Sequence, residues 1–250
     1  GLSCTNILQA LGAAPDGIYW VDTNGGSSAD AFQVYCDMTR NGGGWTLVLQ
    51  NNIAVKPGPD PTYAQVVSNV STAGVFGATL SQFDLFLGLK NWFPLGPKMR
   101  VEVGSTAGTP TKQAIYKYTV DAANNYALTF ASGGATIGSV EPGLKTYHAG
   151  QGISTKDQDV DAYATSCYSS YGYPWWYKSC WSGSFWGSRL GGYQDAPYWT
   201  GSSSDYHNWG AIWVQGCVAA ADCDDGLDCN GAESCWLGVC QPGQPFCDDG

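Results

Sequence analysis

The spacing of apolar positions divides the chain into short elements. "SCTNILQAL" predicts a helix capped by Ser3 or Thr5, and "LSQFDLFLGL" has apolar residues at helical spacing. Apolar residues alternate or run together in "DGIYWV", "AFQVYCDMT", "GGGWTLVLQ", "KMRVEV", "AIYKYTV" and "YALTFA", which predicts strands. The pattern therefore predicts small helices on an antiparallel sheet. After Gly150 the chain changes to segments rich in Gly, Ser, Trp and Tyr that are typical of loops. Loops carry functional residues more often than they form the structural framework.

The cysteines predict two modules, residues 1–216 and residues 217–250. Four cysteines are spread over the first module, and six crowd the second, in which "CDDG" occurs twice. An even count without C-x-x-C spacing favours disulfides made in an oxidising compartment, so we expect a secreted or cell-surface protein. The pairing within the second module is left open by the sequence. Its cysteines are Cys217, Cys223, Cys229, Cys235, Cys240 and Cys247.

The charge distribution narrows the class of partner. Residues 217–250 hold seven acidic and no basic residues, so most of the formal net charge of −10 belongs to that end. A nearly neutral body without a Lys/Arg stripe argues against nucleic acid and anionic membrane surfaces and favours neutral partners such as sugars. No apolar run approaches the roughly 20 residues of a membrane-spanning helix, and the first residues lack the pattern of a signal peptide.

Three carboxylates alternate in "ISTKDQDVDAYATSC", at Asp157, Asp159 and Asp161. Alternate side chains of an extended backbone share one face, so these groups repel one another. Lys156 is the only basic residue of the stretch, and a bound ion with hard oxygen ligands is the better neutraliser. Calcium fits that demand. The alternative is a solvated acidic loop.

Several spaced segments together resemble one known family. "CDMTRNGGGWTLV", "FLGL", "MRVEV", "STKDQDVD" and "WWYKSC" follow the order seen in fibrinogen-like C-terminal domains, the family of ficolins, tachylectins and angiopoietins. The resemblance covers about residues 3–215. It implies an α+β fold with a central antiparallel sheet, small helices and a loop-rich calcium-binding subdomain, here followed by a small disulfide-rich tail. The tail also resembles Cys-rich surface repeats of bacteria, and the body resembles bacterial fibrinogen-like proteins, so we expect a bacterial origin.

The same resemblance implies specific roles for the cysteines and the Asp run. Cys4 pairs with Cys36, and Cys167 pairs with Cys180. Two Asp side chains and two backbone carbonyls hold calcium in this family, and Asp157 orients the loop beside them. By position the implied calcium ligands are Asp159, Asp161, Tyr163 and Thr165.

The ligand pocket of acetyl-binding members maps only partly onto this chain. Tyr171 matches one pocket tyrosine, the Ser179–Cys180 bond falls where those members hold a cis peptide, and Trp181 stands where they have His. Tyr206 and His207 lie where late pocket residues fall. Other candidates for contacts with a sugar are Phe185, Trp186, Asp195, Ser204 and Asn208. The alternative is that many aromatic side chains fill the core, which we expect of Trp175 and Trp176.

Two functional hypotheses follow. The first is a secreted calcium-dependent lectin that binds glycans or acetylated small ligands in an aromatic pocket beside the calcium. The alternative is a non-catalytic protein-binding or adhesive module, with cell-surface proteins or further copies of the chain as partners, in which calcium only stabilises the fold. His148 and His207 match no metal or triad spacing, and no nucleophile-elbow, zinc-protease or phosphate-loop motif occurs. We therefore expect no enzyme, although paired carboxylates for glycoside cleavage stay open.

Overall fold

The computed structural model describes residues 1–52, 61–68, 71–75, 84–180, 182–185, 197–202, 205–223, 232–236, 238–241 and 243. The predicted α+β class is confirmed. The helices are α1 (Cys4–Leu11), α2 (Tyr63–Val66), α3 (Trp92–Leu95), α4 (Gly143–Thr146) and α5 (Cys167–Tyr171). The strands are β1 (Gly17–Val21), β2 (Phe32–Asp37), β3 (Trp45–Asn52), β4 (Ser71–Val75), β5 (Asp84–Leu87), β6 (Lys98–Gly104), β7 (Lys112–Asp121), β8 (Ala127–Ile137), β9 (Trp209–Gln215), β10 (Ser234–Trp236) and β11 (Val239–Gln241).

One antiparallel sheet organises the body of the protein. Its strand order is β1-β2-β3-β9-β6-β7-β8, and β5 joins β4 to β3 beside this path. Strand β9 comes from the end of the body and lies between β3 and β6, where it pairs over its whole length from Trp209 to Gln215. Strand β9 is the last strand of the body but lies at the centre of the sheet. The long connection from β8 to β9 therefore returns the chain to the sheet, and this connection carries the candidate site.

Apolar residues cover both faces of the sheet. The larger cluster packs α1, α3 and the aromatic segment 173–177 against one face, and Trp175 and Trp176 are completely buried in it, as predicted. The smaller cluster on the other face is built on Trp45, Trp209 and Trp213. None of the helices in the described part of the chain is long and apolar enough to span a membrane.

A buried ion network lies within the smaller cluster. The guanidinium of Arg100 is fully buried, lies 4.8 Å from the ring centroids of both Trp45 and Trp213, and is 2.6 Å from a carboxylate oxygen of Asp37. Arg40 contacts the same carboxylate at 2.7 Å. A charge this deeply buried is tolerated because its partners are charged and the aromatic faces attract cations.

One predicted secondary-structure element was wrong. The apolar spacing of "LSQFDLFLGL" predicts a helix, but its described part contains strand β5 and a short 3₁₀-helix at Leu89–Asn91. Short apolar runs fit either element, and here the edge of β3 supplies backbone partners for Leu85 and Phe86. Tertiary pairing therefore outweighs the local pattern.

Four disulfides link the described cysteines. Cys4–Cys36 joins α1 to β2, and Cys167–Cys180 closes a short loop, both as the family resemblance implied. In the tail, Cys217 pairs with Cys235 and Cys223 pairs with Cys240. Cys229 and Cys247 lie outside the described residues. The sequence had left the pairing within the tail open.

The described part of the tail docks onto the body. The side-chain amide of Gln9 in α1 donates to Cys217 O at 3.5 Å, and Lys98 of β6 forms an ion pair with Asp222 at 2.6 Å. The Lys117 ammonium donates to Ala221 O at 2.6 Å. These contacts fix the tail against α1, β6 and β7, at the end of the sheet where β9 finishes.

Thr5 joins three parts of the fold through one buried hydroxyl. Ser3 caps α1, which leaves the Thr5 side chain free for longer-range contacts. Its hydroxyl donates to Gly44 O and accepts from the Gly216 N–H, each at 2.8 Å. Helix α1, the turn before β3 and the end of β9 therefore depend on the same oxygen atom.

We expect Thr5→Val to lower the free energy of unfolding by about 2 to 4 kcal/mol, because two buried backbone groups lose their partner while the side-chain volume is kept. Urea unfolding followed by tryptophan fluorescence measures the change. Thr5→Ser is the matched control, since it keeps the hydroxyl, and it should lose less than half as much. Equal losses in the two variants would contradict a dominant contribution of the hydroxyl.

Candidate functional site

The carboxylate of Asp161 shapes the acidic loop. One of its oxygens accepts from the Tyr163 N–H at 3.0 Å, and the other accepts from the Cys167 N–H at 2.9 Å. The second bond ties the loop to the first residue of α5, which the disulfide connects to Cys180. The loop is also anchored by the Ala162 N–H, which donates to Lys178 O at 2.7 Å.

The carboxylates of Asp159 and Asp161 are close neighbours in the acidic loop. Asp159 accepts from the Asp161 N–H at 3.2 Å. Burial raises the pKa of Asp161, and the adjacent Asp159 carboxylate adds to this effect, although the two N–H bonds to Asp161 oppose it. Among the residues the structure describes, no Lys, Arg or His forms an ion pair with either carboxylate. The loop therefore concentrates negative charge.

The donor set of this loop fits a hard cation. Two carboxylates lie together, and the carbonyls of Tyr163 and Thr165 accept no hydrogen bond from any described residue. Carboxylate and carbonyl oxygens are the ligands that calcium prefers in proteins. These four residues are the set that the family resemblance implied, and the loop could hold such an ion.

Asp157 bonds to residues outside this pair. Its carboxylate accepts from the Tyr63 N–H of α2 at 2.8 Å and from the Thr155 hydroxyl at 2.9 Å. It thereby links the start of the acidic loop to α2. This contact is consistent with the supporting position expected for Asp157.

Tyr171 lies at the edge of a group of tyrosines directly after the acidic loop. Its ring is half-buried, stacks on Tyr177 with centroids 6.1 Å apart, and lies 6.4 Å from Tyr173. Ser179 and Cys180 follow this group and are partly exposed, with Cys180 at a φ of 61°. A non-glycine residue in this conformation is uncommon and is held by its surroundings, here by the disulfide to Cys167.

His148 holds the backbone that follows the tyrosine group. Its Nδ1 lies 2.6 Å from Trp176 O, and its Nε2 lies 3.1 Å from the Ser182 nitrogen. A carbonyl only accepts and an N–H only donates, so these bonds require the neutral ring with its proton on Nδ1. Burial lowers the pKa of His148 to about 4, which keeps the ring neutral. This role is structural, in keeping with the lack of any metal or triad spacing around His148. The two backbone segments that it bridges could not be read from the sequence.

Tyr206 and His207 lie in a second group of residues, which is connected to the tyrosine group around Tyr171 through other side chains. Tyr206 is 55% exposed, and its ring lies 6.4 Å from that of Tyr198. Tyr198 pairs with Ser184, whose hydroxyl bonds to Tyr173. The described residues thus connect Tyr171 to Tyr206 without a direct contact between them.

The ring nitrogens of His207 are both engaged. Nε2 lies 3.2 Å from a carboxylate oxygen of Asp205, and Nδ1 lies 3.5 Å from the Thr111 hydroxyl. Asp205 also accepts from the Lys112 ammonium at 2.5 Å. This network fixes the segment 205–207 against β7 and leaves the exposed Tyr206 as the side chain that an approaching ligand would meet first.

Phe185 was wrongly predicted to face a ligand. It is 1% exposed and packs between Trp175 and Trp199, with centroids 6.0 and 5.8 Å away. Sequence pattern gives no signal for this, because both partners come from other segments of the chain. Asn208 is exposed. The other candidates from sequence, Trp181, Trp186, Asp195 and Ser204, lie outside the described residues.

Three cysteine sulfurs in the tail lie close enough together to suggest a metal centre. Those of Cys217, Cys223 and Cys240 are all within 4.8 Å of one another. Each sulfur is already bonded in a disulfide, to Cys235 or within the pair Cys223–Cys240. The cluster therefore reflects two adjacent disulfides, because a coordinating sulfur must be a free thiolate.

The sheet, the disulfides and the acidic loop define a fibrinogen-like globe. Residues 2–218 match the family described as fibrinogen beta and gamma chains, C-terminal globular domain. The chain belongs to this family, as the sequence resemblance indicated. Domains of this family are general binding modules.

Characterised relatives agree with this assignment. Tenascin of Gallus gallus is 33% identical over 180 residues, which are 69% of this chain and 9% of that protein. Fibrinogen-like protein A of Apostichopus parvimensis is 33% identical over 187 residues, which are 71% of this chain and 61% of that protein. The chain thus spans less than two thirds of the length of either relative. The expected bacterial origin stays a prediction.

Solved structures show the same fold. The fibrinogen-like globe domain of human ANGPTL6 superposes with a TM-score of 0.65 at 23% identity, over 84% of this chain and 93% of that one. Lamprey fibrin D-dimer, in complex with the peptide Gly-His-Arg-Pro-amide, gives a TM-score of 0.62 at 19% identity, over 85% of this chain and 72% of that one.

We expect the free energy of unfolding to fall as the pH drops from 6.5 towards 4, because an unfolded His148 takes up a proton in this window whereas the folded ring stays neutral. The contribution is about 1.4 kcal/mol for each pH unit at most. Urea unfolding at several pH values, for the wild type and for the non-titrating variant His148→Gln, isolates the contribution of His148 to this pH dependence. The same pH slope in both proteins would contradict a neutral buried His148.

Proposed function

We propose that the chain is a secreted calcium-dependent lectin, which binds a carbohydrate or an N-acetyl group in an aromatic pocket beside the calcium. The observation that carries this proposal is the pair of adjacent carboxylates at Asp159 and Asp161, which no described basic side chain neutralises. The four described disulfides support a secreted protein.

Charge and position together support calcium in this loop. Two carboxylates at close range destabilise the loop unless a cation offsets their repulsion. Calcium would supply that charge and would take the carbonyls of Tyr163 and Thr165 as further oxygen ligands. The Cys167 N–H that bonds to Asp161 starts α5, so a change in the acidic loop reaches Tyr171 through one short helix.

The surroundings of the loop support a neutral ligand with an apolar face. Tyr171 offers a half-buried ring next to the disulfide, and Tyr206 is exposed at the second tyrosine group. Phenol side chains combine an apolar ring with a hydrogen-bonding hydroxyl, which suits the C–H face and the hydroxyls of a sugar. Trp181, which the sequence places directly after Cys180, is proposed to complete the pocket. No catalytic step is part of this proposal.

A protein-binding or adhesive module is the second candidate. The lamprey fibrin fragment that shares this fold is in complex with a short peptide, and tenascins are among the relatives in sequence. In this case calcium would only stabilise the loop, and the exposed rings of Tyr163 and Tyr206 would meet a protein surface.

We expect wild-type protein to bind one calcium ion and Asp161→Asn to bind it at least tenfold more weakly, because the variant removes one charged ligand. Isothermal titration calorimetry in chelator-treated buffer measures both. Tyr163→Ala is the matched control: it removes an exposed ring at the same loop but keeps the carbonyl, so its affinity should stay within twofold of the wild type. Unchanged affinity in Asp161→Asn would remove the loop as the calcium site.

Binding of acetylated and neutral sugars to Tyr206→Ala separates the two candidate functions. Under the lectin proposal, the loss of this exposed ring weakens sugar binding at least fivefold and leaves calcium affinity unchanged. Surface plasmon resonance with immobilised glycans measures the first, and calorimetry measures the second. Sugar binding that survives both Tyr206→Ala and the double change Asp159→Ala with Asp161→Ala would contradict the proposed pocket.

A further inference from the structure

A cavity lies outside the segment that carries the candidate calcium site. It is formed between the turn that joins β1 to β2 and the helical stretch of residues 89–95, and its volume is about 240 Å³. Asp22, Asn24 and Asp30 line it from the turn, and Lys90 and Pro94 line it from the helical stretch. No residue of the acidic loop or of the two tyrosine groups contributes to it.

The cavity combines an apolar surface with a polar rim. Phe32 is half-buried, packs against the main core and lines the cavity, and Pro94 adds a second apolar residue. The other lining groups are carboxylates, amides, a hydroxyl and an ammonium. This combination suits a ligand that has both C–H and hydroxyl surfaces.

The polar rim is held in place by its own hydrogen bonds. One oxygen of Asp22 accepts from the Gly25 N–H at 3.1 Å, and one oxygen of Asp30 accepts from the Asn24 amide at 2.8 Å. Within the described residues, the second oxygen of each carboxylate has no hydrogen-bond partner. Each therefore offers a fixed acceptor to a ligand hydroxyl. Gly25 has a φ of 68°, a conformation that favours glycine and lets its N–H reach Asp22.

Charge and size limit the class of ligand. Two carboxylates and the single ammonium of Lys90 leave the rim net negative, which disfavours phosphate or carboxylate ligands. The described residues bring no three carboxylates together here, so a metal ion is poorly supported. The volume is below the roughly 300 to 1,000 Å³ of pockets for drug-sized ligands, which suits a ligand of about one ring.

We propose that this cavity binds a single neutral sugar ring, independently of calcium. The ring packs its C–H face against Phe32 and Pro94, and its hydroxyls donate to Asp22 and Asp30. This site is separate from the pocket proposed above, and it can exist whether or not that pocket binds a sugar. A protein with both sites would hold a branched or repeating glycan at two points.

Saturation-transfer NMR in the presence of EDTA tests the site with the methyl glycosides of glucose, galactose, mannose and N-acetylglucosamine. At least one should give a signal, and amide shifts in a ¹⁵N spectrum should locate it at residues 22–32. The double variant Asn24→Ala with Asp30→Ala should weaken that binding at least fivefold. Both residues are exposed, so the fold should survive.

The matched control is Asp121→Ala with Asn124→Ala, which changes the same residue types in the exposed turn between β7 and β8. It should bind the sugar as the wild type does. The proposal is overturned if none of the four sugars binds in EDTA, or if the Asn24/Asp30 variant binds as well as the control. The chelator removes the calcium-dependent pocket from the experiment, so failure of one site does not decide the other.

Discussion

The repulsion between the carboxylates of Asp159 and Asp161 is the constraint on which the candidate site depends. The loop places these groups side by side, and the described residues provide N–H donors but no cation for them. Burial raises the pKa of Asp161 because its charged form is poorly compensated. A loop that keeps this arrangement without an ion retains an unfavourable interaction, and the proposal of a calcium site rests on that interaction.

The surrounding structure transmits this local arrangement to the rest of the long connection before β9. Asp161 accepts from the first N–H of α5, and the disulfide Cys167–Cys180 connects the start of that helix to the residues after the tyrosine group. His148 holds the backbone on both sides of Cys180. Each of these contacts is rigid for a different reason: a charge-assisted hydrogen bond, a covalent bond, and a buried neutral ring. Together they place the tyrosines next to the acidic loop.

The sequence was most informative where function resides in the spacing of adjacent residues. Most strands were predicted because apolar alternation is a local pattern, and the Asp run stands out for the same reason. The disulfides of the body followed from the family resemblance. Strand β5 was mistaken for a helix, since its backbone partners come from β3. The burial of Phe185, the imidazole bonds of His148 and the Asp205–Lys112 contact depend on segments distant in sequence, so no local pattern could reveal them.

The central claim is that calcium in the acidic loop enables the chain to bind a sugar or an N-acetyl group. A glycan array probed with the purified chain in calcium, and again in excess chelator, tests it most directly. We expect binding to a few related or acetylated glycans in calcium and loss of that binding in the chelator. No detectable binding to the array under either condition, or a glycan profile that the chelator leaves unchanged, would contradict a calcium-dependent lectin.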